Sequence, residues 1–153
     1  MWNKIETQDD IKALMSIYAD FHDSCIVSIN YTSGYYCDEF GHMHFGSTEN
    51  HMIIMKVHST WAEPIEMRFT GVRKCSIVGW RDFYNNEIHD ASLSFHTKLL
   101  GKTRDDRLIV FADGSFNPEL YNEESVISKN HYSPTYIIAE KMSWRFQNEN
   151  NDK

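Results

Sequence analysis

Near the end of the chain runs Ile138-Ala139-Glu140-Lys141-Met142-Ser143-Trp144-Arg145-Phe146. Its side chains alternate in kind with a period of two, the mark of a strand with one buried face. The spacing predicts Ile138, Met142, Trp144 and Phe146 on the apolar face and Lys141, Ser143 and Arg145 on the other. Glu140 interrupts the apolar face, so it must lie at an edge or meet a partner.

The same period recurs upstream. In 25–31, Val27 and Ile29 alternate with Ser28 and Asn30. Ile53, Met55 and Val57 share a face of 52–58. Ile65, Met67 and Phe69 alternate with Glu66, Arg68 and Thr70, and Ala91, Leu93 and Phe95 with Ser92, Ser94 and His96. A strand over 108–112 is closed by Asp113-Gly114, after a turn at Arg104-Asp105-Asp106. Asp38-Glu39-Phe40-Gly41 reads as a hairpin loop joining 35–37 to 42–45, with Gly41 taking a positive φ.

Only one segment reads as helix. Thr7 is placed to cap it, Asp9 and Asp10 sit at its positive end, and Ile11, Leu14, Met15 and Tyr18 form one apolar stripe. It should end near Asp20, with Phe21 as an anchor. One leading helix followed by strands, with no helices between them, excludes a doubly wound parallel sheet. The expected fold is α+β: an N-terminal helix packed on a curved, mainly antiparallel sheet of about seven strands. Residues 1–146 form one domain in this reading, and 147–153 a polar, disordered tail. The segment 115–134, with Pro118, Pro134 and Glu123-Glu124, is expected to be a long functional or mobile loop.

A chain of 153 residues with 41% hydrophobic and 14% aromatic residues can build one core without staples. Its net charge of −7 and its lack of clustered Lys and Arg disfavour nucleic acid. Cys25, Cys37 and Cys75 form no Cys-x-x-Cys pair, residues 1–6 hold no apolar run of the kind expected of a signal peptide, and no apolar run is long enough to span a membrane. A reducing, cytoplasmic setting follows. Cys25 and Cys75 are expected to be buried and Cys37 exposed. No glycine-rich phosphate loop or Gly-x-Ser-x-Gly elbow occurs, so Ser24, Ser92 and Cys37 are weak nucleophile candidates.

Two constellations carry titratable groups. Phe21-His22-Asp23-Ser24 and Ile88-His89-Asp90-Ala91 both lead into strands, which makes His22, Asp23, His89 and Asp90 a candidate polar cluster. Both copies precede strands, unlike the helical His-Asp dipeptide of HD phosphohydrolases. Strand geometry should also point the two side chains of each dipeptide apart, against a shared ion. His22 and His89 are expected to meet across neighbouring strands. The second is His42-x-His44, whose side chains share a face of an extended strand. With His51 they would supply zinc ligands, and Glu49, Asp38 or His58 are alternatives for the third place. Zinc is the cofactor this set would take, and none is otherwise expected. Tyr35, Tyr36, Phe40, Trp61 and Trp80 fall in or near turns and mark a candidate interaction surface.

The chain resembles small uncharacterised bacterial proteins, some of them similar to immunity proteins that neutralise polymorphic toxins. The likeness rests on a short helix before Phe21-His22-Asp23-Ser24, then Tyr31-Thr32-Ser33-Gly34, Phe69-Thr70-Gly71-Val72, Tyr136-Ile137-Ile138-Ala139 and Met142-Ser143-Trp144-Arg145. It implies a bacterial, cytoplasmic, interaction-based role and brings no catalytic residue with it.

The leading expectation is a non-enzymatic protein-binding domain of interaction or immunity type, engaging a basic protein partner. A homodimer is the other assembly open to it, and neither nucleic acid nor membrane is an expected partner. The alternatives are a metal-dependent hydrolase using the His42, His44 and His51 cluster, and a small-ligand module on an aromatic-lined sheet face.

Overall fold

The computed structural model describes residues 1–79, 86–97, 99, 100, 106–114, 116 and 135–150. Trp80, Arg104, Asp105, most of 115–134 and 151–153 lie outside the described residues.

Helix α1 spans Gln8–Ile17. Thr7 caps it: its hydroxyl accepts from the Asp10 amide, and the Asp10 carboxylate accepts from the Thr7 amide in return. That reciprocal pair satisfies two orphan donors of the first turn. The helix stops three residues before Asp20, because Ala19, Asp20 and Phe21 turn into positive φ. This tight turn drops Phe21 into the core beside Tyr18, with ring centroids 4.9 Å apart.

The strands are β1 (Asn3–Ile5), β2 (Ser24–Thr32), β3 (Tyr36–Cys37), β4 (Met43–His44), β5 (Met52–Ser59), β6 (Ile65–Ser76), β7 (Glu87–Ile88), β8 (Ala91–His96), β9 (Leu108–Asp113) and β10 (Tyr136–Phe146). Seven of them form one antiparallel sheet in the order β7-β2-β5-β6-β10-β9-β8, and β1 pairs with β10. β3 and β4 make a separate two-stranded sheet.

β7 and β8 stand at opposite ends of that order, yet only His89 and Asp90 connect them. Three peptide steps reach at most roughly 11 Å. The sheet must therefore curl until its two edges nearly meet, giving a half-barrel. Its concave side holds α1 and the main core of Leu14, Tyr18, Phe21, Phe69 and Phe111. A second cluster, Leu99, Leu108, Val110, Ala112, Tyr136 and Ile138, covers the other face of β9 and the start of β10. Leu108–Ala112 is buried without a break for that reason.

Two irregularities correct the period-two reading. The β2–β5 register shifts between Ile26 and Ser28, so Ile26 is buried and Val27, expected inside, is 52% exposed. The β10–β6 register shifts between Ile138 and Ala139. Ile138 lies in the second cluster, on the face opposite Met142 and Trp144, because the alternation of β10 reverses between Ala139 and Met142, which both join the main core. A shift of one residue moves every later side chain to the other face. Glu140 lies just beyond this break and finds its partner in Arg73.

At the C-terminus, Gln147–Asn150 forms a 3-10 turn. Gln147 is fixed there by its amide to the Pro64 carbonyl and by its side chain to the Ile65 carbonyl. Among the described residues, no helix is long and apolar enough to cross a membrane.

Candidate functional site

The β3–β4 hairpin leaves the sheet through a narrow neck. Gly34 and Gly46 cross there so closely that a Cβ on Gly46 would strike the Gly34 carbonyl. Its loop is built on Asp38. One carboxylate oxygen accepts the Phe40 and His42 amides at 3.0 and 2.9 Å, and the Asp38 carbonyl accepts the Gly41 amide. Gly41 takes the expected positive φ of 83°. The other carboxylate oxygen lies 2.8 Å from His44 Nε2 and 3.4 Å from His42 Nδ1. These contacts, led by the one to His44, hold the Asp38 carboxyl below the usual carboxylate range.

His42 and His44 thus share a carboxylate, while His51 turns away and meets Tyr35 edge-on at 5.6 Å. Among the described residues, no three His, Cys, Asp or Glu side chains are arranged to hold a metal ion. The trio His42, His44 and His51 is therefore not assembled. Both oxygens of Asp38 are already engaged in holding the loop.

The hairpin carries the apolar surface. Tyr36 stacks on His44 at 4.9 Å and Tyr35 packs edge-on against Phe45 at 5.1 Å. Tyr36, Phe40, Met43 and Phe45 are 55%, 77%, 68% and 65% exposed. Met43 and Phe45 add to the exposed apolar side chains of the hairpin: Tyr35 and Phe45 meet on one of its faces, Tyr36 and His44 on the other. Trp61 is exposed too, but it follows the far end of β5. Eight strand residues put it roughly 26 Å from the hairpin base. The predicted aromatic set is thus divided, with Trp80 outside the described residues.

The two His-Asp segments do come together. β7 pairs with the start of β2, placing Ser24 opposite Ile88. His22 Nδ1 lies 2.7 Å from the His89 carbonyl oxygen, 3.9 Å from Asp90, and its Nε2 is 3.7 Å from Asp23. The carbonyl bond, then the charge of Asp23, raises the His22 pKa. The expected separation of His22 from Asp23 fails because Asp23 is not extended: its φ is +52°. The cluster seals the corner at which the half-barrel closes.

Cys37 is exposed as expected, but Cys25 and Cys75 differ from expectation. All three are exposed thiols, including Cys25 and Cys75. Strand edges and the outer sheet face, rather than the core, receive these small side chains. Cys25 stands in register between His58 on β5 and Glu87 on β7, in a shallow cleft of about 530 Å³. The Ser24 hydroxyl is buried and has no hydrogen-bond partner among the described residues, which leaves it without a base.

A larger cavity of about 660 Å³ opens at β10. One edge of β10 pairs with β9 over Tyr136–Ala139 and with β1 over Met142–Trp144. Between them, at Glu140 and Lys141, the edge changes partner and a slot forms. Lys4, Arg68, Phe95, Arg107, Lys141 and Ser143 are among its lining residues. Strand alternation identified Arg68 and Ser143 as outward-facing. It carried no signal that β1 would exist or that Arg107 would approach it.

Comparisons with protein-family models, with curated proteins and with solved structures find no match to this chain.

Proposed function

We propose that the chain is a protein-binding domain that acts by contact rather than catalysis, with the β3–β4 hairpin as its contact element. The observation that carries this reading is the exposure of Tyr36, Phe40, Met43 and Phe45 together on a small sheet separate from the core. Large apolar side chains gathered on one projection are held in water at a free-energy cost that a covering partner relieves. Aromatic side chains fixed by stacking lose little entropy on binding.

The partner is a cationic protein. The chain carries a net charge of −7, and Asp38 and Glu39 lie within the hairpin loop. Acidic charge around an apolar centre speeds encounter with a basic surface and rejects acidic ones. The likeness to immunity-type proteins implies an interaction-based role.

The test compares the wild-type chain with a Tyr36→Ser, Phe40→Ser, Met43→Ser variant as bait in extracts of its native cells. A basic protein retained by the wild type, lost on the variant and released by salt supports the reading. Identical retention by both baits contradicts it, as does a homodimer in sedimentation that the variant abolishes.

A further inference from the structure

The slot at the partner change of β10 has an unusual charge arrangement for so acidic a chain. Its carboxylates already have cations. Glu49 bonds Lys141 at 2.5 Å, Glu140 is paired with Arg73, and Glu6 lies 4.0 Å from Lys4. Its two arginines have no carboxylate at ion-pair distance among the described residues.

Each guanidinium is instead held by an aromatic ring and one neutral oxygen. Arg68 lies over the Trp2 ring at 4.3 Å and donates through Nε to Ser143 Oγ at 3.2 Å. Arg107 lies over Phe95 at 4.0 Å and donates through Nη2 to the Glu6 carbonyl at 2.8 Å. Stacking fixes the guanidinium planes without neutralising them. The register explains how they meet. Lys4, Ser143 and Arg68 form one row across β1, β10 and β6, while Arg107 immediately precedes β9. The hydrogen bond from Arg107 to Glu6 ties the two strands that flank the slot.

We propose that this slot binds a small molecule bearing one oxyanion head, a phosphate or a carboxylate, with Arg68 and Arg107 as its ligands. Planar guanidiniums recognise such groups through paired N–H donors. The Thr70 side chain and Lys141 lie beside Arg68 in the same cavity, and Phe95 and Met142 give it an apolar wall. The volume lies in the range of small-molecule sites. The three glutamates of the lining are each paired with a cation, so the charge offered to a ligand is that of the two arginines, which suits a single oxyanion head. The inference does not depend on the hairpin reading, since neither arginine belongs to the hairpin.

The test is a titration of the full-length, 15N-labelled chain with sodium phosphate and, separately, sodium acetate, at constant ionic strength with sodium chloride as the blank. Saturable shifts of the Arg68 and Arg107 Nε–H signals are expected with one of the two anions, and which anion acts identifies the head group. Arg107→Gln, at an exposed position, and Arg68→Gln should each weaken the affinity at least tenfold. Arg107→Lys, which keeps the charge but loses the fork, should also weaken it. Shifts that do not saturate with either anion would overturn the proposal, as would equal affinity in a folded Arg107→Gln variant.

Discussion

His22 reaches across 67 residues of chain to place its Nδ1 2.7 Å from the backbone carbonyl oxygen of His89. That contact fastens the entry of β2 to the two-residue link between β7 and β8, where the half-barrel closes. Because the carbonyl and the nearby carboxylates favour the protonated ring, the His22 pKa is raised above 6.5. The charged ring therefore stabilises the fold fully below pH 6.5, and this contribution is lost as pH rises through the higher folded value. Thermal melts of wild type and His22→Gln should differ most near pH 5.5 and converge toward pH 8. A difference that grows with pH would refute the assignment.

Tyr18 is fully buried and its hydroxyl donates to the Glu63 carbonyl at 2.6 Å. Burial pushes its phenol pKa up, so it remains a donor across the accessible pH range. Tyr18→Phe keeps the ring and strands that carbonyl. Denaturant unfolding should show a loss of about 1–2 kcal/mol.

Gly71 takes a φ of +64°, and a Cβ there would lie 2.8–2.9 Å from side-chain atoms of Thr48 and Glu140. Gly71→Ala meets both the left-handed backbone penalty and the clash. Its cost should be about 1–3 kcal/mol in the same assay. An unchanged midpoint would show that this part of β6 relaxes.

The alternation of β5, the first half of β6, β8 and the second half of β10 was legible in the sequence, because each buries one face and leaves the other in water. The cap at Thr7 and the turn at Gly41 were legible for the same local reason. Val27 departs from the pattern because it is the extra residue of a register shift, and Ile138 because the alternation of β10 reverses between Ala139 and Met142; no residue type announces either. β1 is too short for any period to show. The meeting of His22 with His89 followed from two similar strand entries. Arg107 near Glu6 depends on tertiary closure alone.

Asp38 holds the hairpin loop through contacts to the Phe40 amide, the His42 amide and His44. Its lowered pKa means that this support is present above about pH 4 and is lost as pH falls through the folded value. Asp38→Asn should abolish the ring-current shifts of the Tyr36–His44 stack in NMR spectra. The melting temperature of the main sheet should change little, because β3 and β4 form a separate sheet. Loss of global stability would place the hairpin within the cooperative core.

The most direct test of the binding role puts a photo-crosslinking amino acid at Phe40 in the native cells, with Ala13 on the exposed side of α1 as the control position. The account predicts one dominant adduct with a basic protein from position 40, absent from position 13, and lost when Tyr36 and Met43 are both replaced by Ser. Adducts that are the same from both positions, or no discrete adduct from position 40, would contradict it.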